Sequence, residues 1–221
     1  MNKLLTTIFA VAVSCVTVSS LAQEVKGDAK AGETKNAMCI GCHGIKGYQA
    51  SFPEIYKVPM ISGQGGKYIT AALSAYKKGE RKHPTMRSIA ESLTDQDIAD
   101  LAAYYSAHGV VEGAELPAKP AKEPSADVQA LLNKANCASC HGANFSKPVD
   151  PAYPKIAGQH GDYLFVALKA YKTDNNPKVG RGNAIMAGMA KQYTNAELKL
   201  LANYLSSVEG ELKVVPQSKF R

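Results

Sequence analysis

A five-residue run occurs twice in this chain, as Cys39-Ile40-Gly41-Cys42-His43 and as Cys137-Ala138-Ser139-Cys140-His141, each followed by Gly. Cys-x-x-Cys-His is the attachment pattern of a c-type haem. Two intervening residues let one helical turn bring both thiols to the vinyl positions of a porphyrin, and the next residue brings an imidazole to the iron. A single copy would serve equally as a thiol redox pair or part of a zinc site. Two copies, each heading a similar module, predict two covalently attached haem c groups, on Cys39/Cys42 and Cys137/Cys140, with His43 and His141 as iron ligands.

The N-terminus agrees with that chemistry. Met1-Asn2-Lys3 precedes an apolar run from Leu4 to Val18 and then Ser20-Leu21-Ala22, the order of a secretory signal, here cut after Ala22. The apolar run is shorter than the ~20 residues a membrane span needs. A retained anchor is the competing reading, and lipid attachment at Cys15 a third, for which Ala12-Val13-Ser14 is a poor match. Of five cysteines, Cys15 leaves with the signal and the other four all lie in the haem runs. No thiol then remains for a disulfide, a nucleophile or a thiolate iron ligand. Export to the periplasm, where stray thiols oxidise, fits that usage.

Removing residues 1–22 leaves a length suited to two small domains, read as 23–112 and 125–221 with a linker at 113–124. The linker holds Gly113, Pro117, Pro120 and Pro124, a semi-extended composition. Domains of fewer than ~100 residues have marginal cores, so each haem is expected to form part of one. The formal charge of +7 falls by one with Lys3, and four haem propionates would lower it further. No dense basic run interleaved with aromatics is present, which argues against nucleic acid as a partner. Lys77, Lys78, Arg81 and Lys82 form one basic cluster, either a docking face for a redox partner or a solvated helix end.

The modules repeat beyond the haem runs. From Pro59 to Tyr76 and from Pro154 to Tyr171, ten of eighteen aligned residues are identical without a gap. Tyr68, Ala72, Leu73 and Tyr76 recur at helical spacing, as do Tyr163, Ala167, Leu168 and Tyr171. Asp28 is a natural N-cap for a helix through Met38, and Ser125 or Asp127 for one leading into Cys137. Thr94-Asp-Gln-Asp97 and Thr194-Asn-Ala-Glu197 have capping-box form and open closing helices through Ile98, Leu101, Tyr105 and Leu198, Leu201, Leu205. No strand pattern is evident.

A histidine-ligated haem needs a second axial ligand to become a closed carrier. Met86 lies eight residues before Thr94 and Met186 eight before Thr194; a methionine at one register in both copies points to His43/Met86 and His141/Met186 ligation. Met189 pairs with Ile89, which marks it as a core residue; Met60 pairs with Lys155 and Met38 with Asn136, so neither has the symmetry of a ligand. His83, His108 and His160 have no counterparts and are expected at the surface, with His83 the fallback for bis-histidine ligation. Pro59 and Pro154 either present a carbonyl to the haem histidine or simply turn the chain.

Together, the paired haem runs, the Pro59…Gly63-Gln64 and Pro154…Gly158-Gln159 elements, Met86 and Met186, and the closing helices with Tyr104 and Tyr204 resemble the cytochrome c4 family over the whole exported chain. That resemblance implies an all-α fold of two tandem class I cytochrome c domains, related by a pseudo-twofold with propionate edges close. It implies a periplasmic, non-enzymatic electron carrier in peripheral contact with the membrane, linking a quinol-oxidising complex or dehydrogenase to a terminal oxidase or reductase. The second copy departs by five extra residues, read at Lys178 to Asn183. Two rival functions remain open: a haem subunit of a periplasmic dehydrogenase complex, and a haem enzyme with one open iron site.

Overall fold

The computed structural model describes residues 25–216, so the signal expected at residues 1–22 lies outside the described part. Each half repeats one order of helices. The first holds α1 (Ala29–Lys35), α2 (Ala37–His43), α3 (Gly66–Lys77), α4 (Pro84–Glu91) and α5 (Asp95–Ala107). The second holds α6 (Ala126–Lys134), α7 (Ala138–His141), α8 (Gly161–Tyr171), α9 (Ala184–Ala190) and α10 (Asn195–Ser207). The expectation of no strands is corrected in a small way. β1 (Gln49–Ala50) pairs antiparallel with β2 (Tyr56–Lys57), and β3 (Arg81–Lys82) with β4 (Gly180–Arg181). Two-residue strands are too short to carry the alternation by which a strand is read from sequence. The architecture is all-α, two tandem helical domains related by a pseudo-twofold.

The helix ends follow their sequence signals. Asp28 accepts the Lys30 and Ala31 N–H groups at the start of α1, and Ser125, not Asp127, caps α6. Thr94 with Asp97 and Thr194 with Glu197 both form complete capping boxes. The helix expected to run from Ala29 to Met38 is interrupted at Asn36, which ends α1 and starts α2. The second copy is broken more sharply. Asn136 takes a left-handed φ of 46°, a conformation Asn tolerates better than most residues, and its haem run is one short turn rather than a full helix.

Apolar faces gather these helices into two cores. Ile69 of α3, Leu93, and Ile98, Leu101, Ala102 and Tyr105 of α5 form the first, with Cys39 packed against it. Val128 and Leu132 of α6, Leu164 of α8, and Leu198, Leu201 and Leu205 of α10 contribute to the second, with Cys137 packed against it. α1 meets α5 at Gly32, where a Cβ would sit 2.2 Å from the Asp100 carbonyl oxygen. The linker is tied to the second domain: Asn144 donates to Pro117 O at 3.0 Å and the Tyr204 hydroxyl to Lys122 O at 3.1 Å.

β3 and β4 join the two domains, with Arg81 directly opposite Arg181. That register places the inserted residues. Arg81 and Arg181 stand at the same distance before Met86 and Met186, so the insertion lies upstream of β4, in the loop after α8, and the Gly180 to Asn183 part of the expected span is not inserted. In that loop the Asn176 side chain accepts the Lys178 and Val179 N–H groups, and its carbonyl accepts Lys82 Nζ from the first domain at 2.8 Å. The Gly182 N–H donates to Glu80 O at 2.7 Å, and Lys169 forms an ion pair with Glu54 across the same seam.

The basic cluster is not an open docking face. Lys77 Nζ donates to Leu93 O at 2.6 Å, Lys82 is held by Asn176, and Arg81 turns into the seam; of the four, Lys78 alone is exposed.

Candidate haem sites

His43 closes α2 and His141 closes α7. Each ring donates its Nδ1–H to a proline carbonyl, His43 to Pro59 O at 2.8 Å and His141 to Pro154 O at 3.0 Å. A carbonyl can only accept, so the proton sits on Nδ1 and the Nε2 lone pair is left for a metal. Burial holds both imidazoles below their ordinary pKa, against the opposing pull of the carbonyls. Both are therefore neutral, the form that ligates. Pro59 and Pro154 do more than turn the chain.

Cys39, Cys42, Cys137 and Cys140 are free thiols. Burial raises Cys39 to about 11 and raises Cys137 as well, whereas a thiol redox pair needs a lowered pKa. A zinc site needs further converging ligands, and among the described residues no three His, Cys, Asp or Glu side chains converge to hold an ion. What remains is thiols placed for covalent attachment.

Met86 and Met186 each occupy the third position of a short helix, α4 and α9, and both are half-buried. Each backbone N–H is accepted by the N-cap side chain, His83 Nδ1 at 3.4 Å and Asn183 Oδ1 at 2.9 Å. His83 thus has a counterpart after all and works as a helix cap, with its Nε2 3.0 Å from the Tyr56 hydroxyl. Nor is His108 a plain surface residue: it stacks on Tyr104 and bonds the Ser62 hydroxyl at 2.9 Å. His160 is half-buried at the start of α8.

One group went unread in the sequence. Arg81 donates to the Tyr68 and Tyr163 hydroxyls at 3.3 and 2.9 Å, and Arg181 to the Tyr171 and Tyr163 hydroxyls at 3.5 and 3.0 Å. Two guanidinium groups therefore share one phenol across the seam, and they lower Tyr163 to about 8 despite its burial. They line a narrow cavity with Tyr56, Tyr76 and His83. Arg81 Nε is buried without a partner, and among the described residues neither arginine meets a carboxylate. Like charges facing across a ladder repel, and buried charges need counter-charges. The sequence signs were Arg five residues before Met in both copies and the repeated tyrosines Tyr68/Tyr163 and Tyr76/Tyr171, read above only as helix-face residues.

The sequence matches the Cytochrome c family over residues 29–107 and again over residues 125–209. It is 31% identical over 195 residues to cytochrome c4 of Thiocapsa roseopersicina, spanning 82% of this chain and 93% of that protein. The chain belongs to the cytochrome c4 family. The crystal structure of reduced recombinant cytochrome c4 from Pseudomonas stutzeri is similar in fold, with a TM-score of 0.59 and 25% identity over 83% of this chain and all of that one. A thiosulfate dehydrogenase electron acceptor of Stutzerimonas stutzeri is 27% identical over 89% of this chain and 92% of that protein. As a cytochrome c4 family member this chain carries two covalent haem c groups and transfers electrons. Its residues fit those groups: four free thiols, two neutral imidazoles with Nε2 available, and a half-buried arginine pair with no carboxylate partner among the described residues, suited to the anions haem propionates bring.

Proposed function

We propose that this chain is a periplasmic, non-enzymatic electron carrier with two His/Met-ligated irons. His43 and Met86 serve the domain at 23–112, and His141 and Met186 the domain at 125–221, joined by the linker at 113–124. Each haem supplies a one-electron Fe(III)/Fe(II) couple, and a soft thioether ligand favours the reduced state. The observation that carries this reading is the doubled geometry. In both copies the histidine is held by a proline carbonyl and the methionine stands third in a helix capped from its own N-cap side chain. Arg81 and Arg181 would hold propionates at the seam. Among the described residues no helix is long and apolar enough to cross a membrane, which is compatible with peripheral membrane association.

The test is an optical titration of the oxidised holoprotein, following the weak far-red band of a Met–Fe(III) bond. Met86→Ala and Met186→Ala are each expected to remove half of that band and open one haem to carbon monoxide. A full band in either variant would sink the assignment for that domain.

The donor is taken to be a quinol-oxidising complex or a dehydrogenase, and the acceptor a terminal oxidase or reductase. The likeness to a thiosulfate dehydrogenase electron acceptor favours a second reading, a haem subunit serving a dehydrogenase. Rapid reduction by a purified periplasmic dehydrogenase, with none by a quinol-oxidising complex, would select it.

A further inference from the structure

Gln64 and Gln159 are buried amides, 5% and 3% exposed, and each reaches into the other domain. Gln159 Oε1 accepts the Met60 N–H at 3.0 Å while its Nε2 donates to Met60 O at 2.9 Å. Reciprocally, Gln64 Oε1 accepts the Lys155 N–H at 2.9 Å while its Nε2 donates to Lys155 O at 3.0 Å. Each oxygen also accepts the N–H of the next residue on its own chain, Gly65 or His160, at 3.0 Å. Only one orientation of the amide satisfies all three bonds, so the oxygen and nitrogen are assigned by the network.

The residues gripped are not arbitrary. The Met60 N–H and the Pro59 carbonyl belong to one peptide unit, and that carbonyl accepts the Nδ1–H of His43. The Lys155 N–H and the Pro154 carbonyl form the corresponding unit for His141. A bond accepted from the N–H of a peptide polarises the group and makes its carbonyl a better acceptor. A stronger bond at Nδ1 in turn makes the imidazole a more basic ligand.

We propose that Gln64 and Gln159 are positioning residues that act across the domain seam, each setting the axial histidine of the other domain's haem. Gln159 tunes His43 through the 59–60 peptide, and Gln64 tunes His141 through the 154–155 peptide. The seam and the two ligand fields are then one hydrogen-bonded system, and rearrangement at either iron is felt in the opposite domain. This rests on His43 and His141 being axial ligands, as read above.

The test uses the holoprotein, with the potential of each haem followed through its own haem-methyl resonances in a redox titration by NMR. Gln159→Leu keeps the volume and removes both bonds to Met60. The His43 ligand becomes less basic, Fe(III) is less favoured, and the midpoint of the first haem rises while the second holds. Gln64→Leu gives the reverse pattern. Gln159→Glu keeps an acceptor for the Met60 N–H and returns the first haem toward wild type. If Leu at 159 leaves no folded protein, Gln159→Asn, too short to span to Met60, takes its place with the same expectation. The proposal is overturned if these variants move the haem of their own domain, both haems equally, or neither. Failure of the underlying ligation shows separately, because the oxidised wild type would then lack the shifted methyl signals of a low-spin His-ligated iron.

Discussion

Gly32 offers a direct test of how the first haem run is positioned. It sits mid-way along α1, and its ordinary helical φ makes it a question of space rather than backbone freedom. An added Cβ would lie 2.2 Å from the Asp100 carbonyl oxygen and 2.7 Å from Tyr104 Cβ. Carbon and oxygen normally approach to about 3.3 Å, so α1 would have to retreat by roughly 1 Å. The nearest atom is helix backbone and cannot swing away, which puts the overpacking cost at the upper end of its usual range, about 3 kcal/mol. Alanine's better helix propensity returns about 1 kcal/mol. Gly32→Ala is therefore expected to destabilise the first domain by about 2 kcal/mol, lowering its thermal midpoint by on the order of 10 °C. Gly188, in α9, has nothing within 4 Å of its Cβ position, and Gly188→Ala should gain about 0.5–1 kcal/mol. The assay is thermal unfolding of both holoproteins followed by far-UV circular dichroism and haem absorbance. A Gly32→Ala protein as stable as wild type would refute the close crossing. In the second copy the residue seven before the haem run is exposed Ala130, and α6 meets the second core through Val128 and Leu132 instead.

Asp100 and Asp97 both lie below the usual carboxylate range, first because the Lys35 ammonium bonds them. A depressed carboxyl stabilises the fold above its unfolded pKa and loses that contribution as pH falls through its folded value. The first domain should thus weaken below about pH 4, and Asp100→Asn should flatten this limb. Urea midpoints across the acid range check it, and an unaltered slope would count against the Lys35 pairing. The second copy has Leu200 there, so its acid limb should not change. Arg81→Gln removes positive charge from the seam where propionates are proposed, which favours Fe(III). Both midpoint potentials are expected to fall in a spectroelectrochemical titration; a rise would place the propionates elsewhere. Cys137→Ser with Cys140→Ser should leave one haem per chain by pyridine haemochrome assay, and two would contradict covalent attachment at that run.

Much of the site was legible because its signals are local or doubled. Cys-x-x-Cys-His is contiguous, the capping boxes span four residues, and Met86 and Met186 were separated from the other methionines by register alone. The copies calibrate each other, so a residue repeated at one position stands out without any fold in hand. Where the doubling was counted through an insertion, it misled: the extra residues were placed next to Met186, and His83 lost its match with Asn183.

The sequence by itself determined the two haem attachments, the helical class and the order of helices, because these depend on spacing within a few residues. The tertiary structure alone decided what meets across the seam. Arg81 faces Arg181, Lys82 is held by the Asn176 carbonyl rather than left on a docking face, and each glutamine grips the peptide beside the other domain's histidine. Those pairs lie about a hundred positions apart, and no local pattern encodes a contact made only when two separate cores are brought together.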